Sequence, residues 1–232
     1  NDNDNNNSND NNNNNEYLND NDNNNNNDNL NDNFILNNTK KMIILIGIAY
    51  AMLFIHKNDI IHYDLKCSGI FLDENFYPRV GDLGHARYKD EEPRELQIDE
   101  QPYFVAPELI DKSSDISFPV DVFAYGMVFY HVISNIMPMI ECKSAIDLQI
   151  KIQNGARPKL DCIPQKFHEF LEDLWHQEPE RRPAFSNIVD FLNDKNNWLE
   201  DVDQTEIEAY KSIFLEKRQE EKVQSKKDCI IF

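Results

Sequence analysis

The sequence predicts a mainly α-helical fold with one or two very short β-strand pairs. Three observations lead there. Met42 to Ile55 is an almost unbroken apolar run of helical length. Four later stretches also read as helices: Phe118 to Ile133, Ser144 to Asn154, Gln165 to His176 and Ala184 to Asp194. Only Gly69 to Leu72 and Tyr77 to Val80 read as strands, and Asp73-Glu74-Asn75 supplies the turn between them. A chain of 232 residues is long enough for one good core rather than two.

The elements follow in order. Residues 1 to about 33 are almost entirely Asn and Asp. These residues favour turns, compete with helical hydrogen bonds and leave almost nothing to bury. Residues 1–38 are therefore expected to form a disordered leader, with some tendency to self-associate. A chain that begins with Asn is expected to start inside a longer gene product. Thr39 is expected to cap a helix running to about His56. Its apolar run of about 14 residues falls short of the roughly 20 that a bilayer needs, so a buried core helix is expected. Residues 39–198 should form the folded lobe. Residues 199–232 should form a charged helical tail, with Ile207, Tyr210, Ile213 and Phe214 on one face.

Composition excludes some functions. Acidic residues outnumber basic ones by 42 to 23, for a formal charge of -19, which argues against nucleic-acid binding through a basic face. Cys67, Cys142, Cys162 and Cys229 make no CxxC pair, and no secretory signal is visible. This pattern reads as a reduced, cytoplasmic chain without a zinc site.

Three motifs carry chemistry. His62-Tyr63-Asp64-Leu65-Lys66-Cys67-Ser68-Gly69 comes first, then Asp82-Leu83-Gly84, then Ala106-Pro107-Glu108. In order and spacing they resemble the protein-kinase signature HRDLxxxN, DFG and APE. The resemblance covers about residues 39 to 195. It implies a protein-kinase-like C-terminal lobe with the N-terminal lobe absent. Asp64 matches the family's Asp that accepts the substrate hydroxyl proton. Lys66 matches the Lys that steadies the γ-phosphate in Ser/Thr kinases, and Asp82 matches the Mg²⁺-binding Asp. Mg-ATP is the implied cofactor. The resemblance also implies that His62 braces the loop, that Asp121 accepts hydrogen bonds from the loop backbone, and that Glu108 pairs with Arg182. Trp175 and the segment to Phe185 resemble tyrosine-kinase-like families, whereas Lys66 points to Ser/Thr specificity. Together they resemble the tyrosine-kinase-like group of Ser/Thr kinases. Glu16-Tyr17-Leu18 lies about where a kinase hinge would.

The departures from that pattern are specific to catalysis. Tyr63 replaces Arg, Gly69 replaces the metal-binding Asn, Leu83 replaces Phe, and Gln101 replaces Thr. The six glycines, at 47, 69, 81, 84, 126 and 155, make no phosphate-cradling loop. No Val-Ala-Ile-Lys-like strand stands upstream, nor a helix offering its Glu partner. Between Gly84 and Ala106 there is no Ser or Thr, and the only hydroxyls are those of Tyr88 and Tyr103. Two readings follow. One is a pseudokinase or kinase remnant that binds protein partners as an interaction module, with Mg-ATP binding weak or absent. The other is an active Ser/Thr kinase whose N-terminal lobe lies upstream. Finally, Cys229-Ile230-Ile231-Phe232 fits the C-a-a-X prenylation pattern, and the terminal Phe favours geranylgeranyl. A single lipid would give reversible membrane attachment through Cys229.

Overall fold

The computed structural model describes residues 36–91, 102–110 and 117–214. All of them belong to the compact unit Ile35–Phe232. The leader to residue 35, with Glu16-Tyr17-Leu18, lies outside the described residues. So do Gln101 and the tail beyond 214 with Cys229.

Helix α1 spans Asn38–Lys57. Its cap is Asn37, not Thr39: the Asn37 side-chain oxygen accepts from the Lys40 backbone N–H at 2.8 Å. Thr39 sits inside the first turn, where its Oγ1 accepts from the Asp203 N–H at 2.8 Å. By length and composition alone α1 could cross a membrane. Here its middle is core: Met42, Ile43, Leu45, Ile46, Ile48 and Met52 are buried. A helix apolar on nearly every side needs partners all round. The main ones are α6 (Phe185–Asn193), α3 (Pro119–Ser134) and a strand at Pro78–Val80.

The strands form two antiparallel pairs. Ile60–Ile61 (β1) pairs with Arg87–Tyr88 (β4), and Ile70–Leu72 (β2) pairs with Pro78–Val80 (β3). The β2–β3 turn is closed by Asp73, whose Oδ1 accepts from Asn75 N at 3.0 Å and Tyr77 N at 2.9 Å.

A short helix α2, Pro107–Ile110, precedes α3. Pro119 opens α3, where its missing N–H costs nothing. Tyr125 is wholly buried and donates to the Leu45 carbonyl at 3.0 Å, fastening α3 to α1. Helix α4 is Ala145–Gln153, capped by Ser144. The expected helix from Gln165 to His176 is split: Gln165–Phe167 is a 3₁₀ turn, and α5 runs only over His168–Leu174. A last helix, α7, covers 204–214 and is capped by Asp203, which accepts from Thr205 N at 2.9 Å. Its buried face is Ile207 and Tyr210, with Phe214 packed alongside. Ile213 was expected on that face but is 36% exposed. The spacing explains the difference. Positions 207, 210 and 214 share one stripe of a 3.6-residue helix, and 213 falls outside it.

Candidate active site

The loop of residues 62–69 joins β1 to β2, and Asp121 in the first turn of α3 holds it from beneath. Asp121 Oδ2 accepts from His62 N and Oδ1 from Tyr63 N, both at 2.8 Å. Tyr63 has φ of 75°, in the left-handed region that bulky residues avoid. Such a conformation costs on the order of 1–3 kcal/mol and persists only where neighbours enforce it. The two Asp121 bonds are that enforcement. His56 adds a third partner, with Nε2 2.8 Å from Asp121 Oδ2. Its ring is packed against Phe118 and Phe185.

His62 Nε2 lies 3.0 Å from the Gly81 carbonyl. The loop is thereby tied to the strand that leads into Asp82. Within the loop, Lys66 Nζ donates to Asp64 Oδ2 at 2.7 Å, and both side chains are largely shielded from solvent. Burial pushes the neighbouring Cys67 thiol up to about 12, so this sulfur stays protonated and unreactive at neutral pH.

The β2–β3 ladder continues as Gly81 N donates to Gly69 O at 2.9 Å. Positions 69 and 82 therefore stand side by side. A Cβ added at Gly69 would lie 3.3 Å from Asp82 Cβ and 4.0 Å from its Oδ2. Asp82 itself has φ of 60°. Among the described residues, no three His, Cys, Asp or Glu side chains converge as a metal site. Nearby in the chain, Phe71 and Leu83 are 61% and 52% exposed.

Tyr63 is engaged through its side chain as well. Its ring is buried, and the Arg87 guanidinium carbon lies 4.4 Å from the ring centre. Burial raises the Tyr63 phenol above its ordinary range, and the Arg87 charge partly opposes that. Arg87 is also buried, and its Nε and Nη1 find no hydrogen-bond partner among the described residues.

Glu108 and Arg182 meet through two bonds, Nη1 to Oε1 at 2.5 Å and Nη2 to Oε2 at 2.9 Å. Arg182 also donates to the Pro119 carbonyl at 3.0 Å and the His176 carbonyl at 2.8 Å. This pair ties α2 to the start of α3 and to the segment after α5. Beside it, Arg157 lies 4.8 Å from the Phe123 ring centre and donates to the Trp175 carbonyl at 2.8 Å. Burial, then the Arg182 charge, brings Arg157 down to about 10.

The structure thus gathers His62, Asp64, Lys66, Asp82 and Asp121 around one loop and one hairpin. The Glu108–Arg182 pair sits under α2. His56, Arg87 and Arg157 were not singled out from the sequence. His56 ends an apolar run, and nothing local marks its carboxylate partner 65 positions away. Cys229 lies outside the described residues.

Comparison with known proteins adds the lineage. A family profile described as "Protein kinase domain" matches residues 10–192. Serine/threonine-protein kinase STY46 of Arabidopsis thaliana is 33% identical over 156 residues, covering 64% of the chain and 26% of the relative. Serine/threonine-protein kinase STY17 of the same plant is 31% identical over 155 residues, with coverage of 64% and 26%. A sequence from Acanthamoeba polyphaga mimivirus is 33% identical over 153 residues, covering 64% of the chain and 9% of that protein. The chain thus spans about a quarter or less of the length of these relatives.

Proposed function

The chain belongs to the protein kinase family, and from that premise we propose that it is a catalytically impaired, Ser/Thr-kinase-like lobe that works as an interaction module for protein partners. The observation that carries the reading is Gly69 beside Asp82. A side chain at position 69 would project next to the Asp82 carboxylate, where a second metal ligand belongs, and Gly supplies none. Kinases generally use Mg-ATP, whose metal would supply charge neutralisation at the phosphates, and Asp82 is the residue that would hold it here. The donor set here does not fit that group, because one carboxylate without a neighbouring ligand holds Mg²⁺ poorly. Tyr63 points the same way, since its ring is already engaged by Arg87.

The test is thermal unfolding of the full chain with and without millimolar Mg-ATP. Ligand binding raises the melting temperature by mass action. The expected result is no shift for this chain. A rise of several degrees would overturn the reading.

A second reading is an active Ser/Thr kinase completed by an N-terminal lobe upstream. The Asp64–Lys66 contact at 2.7 Å favours it, because those two groups are kept in mutual register. Phosphate transfer to a generic protein substrate by a longer gene product would support it. The same longer product with Asp64→Asn should then lose that transfer.

Prenylation of Cys229 belongs to the proposal as well. It would hold a cytoplasmic lobe reversibly at a membrane surface. Mass spectrometry of the C-terminal peptide from eukaryotic cells tests it. An unmodified Cys-Ile-Ile-Phe end would remove the membrane part.

A further inference from the structure

Helix α7 does more than cover the lobe. It reaches the turn end of the β2–β3 hairpin, whose open end carries Gly69 beside Asp82. Three contacts make the connection.

The first is a slot in α1. A Cβ built on Gly47 would fall 2.1 Å from Tyr210 Oη and 2.4 Å from Pro78 Cγ. Any side chain at 47 would push out both α7 and β3. Glycine in a helix interior costs roughly 0.5–1 kcal/mol relative to alanine. Here that cost accompanies a three-way junction of α1, α7 and β3.

The second contact is aromatic. The Tyr210 ring lies 4.5 Å from the Tyr77 ring, the residue just before β3. Phe214 packs edge-on against Tyr210 at 5.2 Å and stacks on Tyr50 of α1 at 4.7 Å. Tyr210 is 3% exposed. Burial raises its phenol well above the usual range, with Asp73 of the hairpin turn adding to the effect.

The third contact is polar. Lys40 Nζ donates to the Asn75 carbonyl in the hairpin turn at 3.0 Å and also pairs with Glu206 of α7. A single ammonium therefore bridges the turn and the helix. Thr39 and Asn38 hold the segment before α7, through Asp203 N at 2.8 Å and the Glu200 carbonyl at 2.9 Å.

We propose that α7 is a brace for the catalytic hairpin, keyed by Tyr210 into the Gly47 slot and by Glu206 through Lys40. Tyr210, Gly47 and Lys40 are then positioning residues. They act on Asp82 and Gly69 through the strands and touch neither. Undocking α7 loosens the hairpin while the α1–α3–α6 core stays closed, because Tyr125 and Phe185 hold that core independently. The proposal does not depend on whether the lobe is catalytic.

Hydrogen exchange read by mass spectrometry on the full chain tests it. In Lys40→Met and in Glu206→Gln, exchange in the peptide covering 70–82 should speed up about tenfold, while peptides from α3 and α6 keep their rates. Gly47→Ala should loosen the same peptide further. Adding Tyr210→Phe to Gly47→Ala should recover part of the protection, because it removes Oη and clears one of the two obstructed contacts. If Gly47→Ala does not fold, the Lys40 and Glu206 variants carry the test alone. Faster exchange confined to 204–214, with 70–82 unchanged, would overturn the proposal. So would uniform loosening that includes α3 and α6.

Discussion

The Arg87 guanidinium carbon lies 4.4 Å from the centre of the Tyr63 ring, and both side chains are buried. The cation faces an aromatic surface where the family pattern would place a second cation. This stack is compatible with the backbone strain at Tyr63, because Asp121 fixes the backbone and Arg87 meets the side chain. The loop is thus held at its backbone by α3 and at its side chain by β4.

Replacing Tyr63 by Leu should destabilise the lobe by about 1–3 kcal/mol, since the cation–π contact goes and Arg87 is left buried against a neutral aliphatic group. Tyr63→Arg should cost more in dilute buffer, because two guanidinium groups would then share one buried space. Urea unfolding followed by circular dichroism measures both. A Tyr63→Arg protein as stable as the parent would show that the space already contains a compensating anion.

The Glu108–Arg182 pair gives a second expectation. Breaking a buried pair from one side leaves an uncompensated charge and costs about 3–5 kcal/mol. Glu108→Gln and Arg182→Met should each fall in that range. The double variant should cost clearly less than their sum, because neither charge then remains alone. Denaturant melts of the four proteins complete the cycle.

Asp121 serves three groups at once, so Asp121→Ala should do more than destabilise. His62 N, Tyr63 N and His56 would lose their acceptor together. Tyr63 should then leave its left-handed conformation. The readout is exchange of the loop amides. It should rise in Asp121→Ala while α4 and α5 remain protected.

Alkaline pH should weaken the fold through buried hydroxyls. Tyr130 donates to the Lys159 carbonyl at 3.1 Å, and burial with the Cys162 contact pushes it from 10.0 up to about 12. A raised phenol means that the unfolded chain loses its proton first. Stability from this group is full below pH 10 and is lost as pH rises toward about 12. Each such proton contributes a slope of about 1.4 kcal/mol per pH unit within the window. Tyr130→Phe should show a shallower fall in melting temperature across this window than the parent.

Much of this protein was legible in its sequence. The apolar run in α1 dictates a helix kept out of water, because no face of it is polar, and the packed lobe is what buries it. Asp73-Glu74-Asn75 closes a hairpin through local bonds alone. Motif order and spacing carry the resemblance to the family, and that resemblance points to Asp64, Lys66, Asp82, Glu108, Asp121 and Arg182.

Tertiary structure decided what depends on distant partners. Asn37 rather than Thr39 caps α1 because Thr39 is engaged by Asp203, which lies 164 positions away. His56, Arg87 and Arg157 look like ordinary surface residues in the sequence, and Arg87 becomes buried and the other two half-buried only when other elements close over them. Gly47 reads as a flaw in a good helix until Tyr210 and Pro78 arrive against it. Local propensity and periodicity act over a few residues, so the sequence fixes elements and motifs directly. Which buried charge meets which partner, and which glycine makes room for which ring, follows from packing at close-packed density. That is settled only when elements far apart in the chain are brought together.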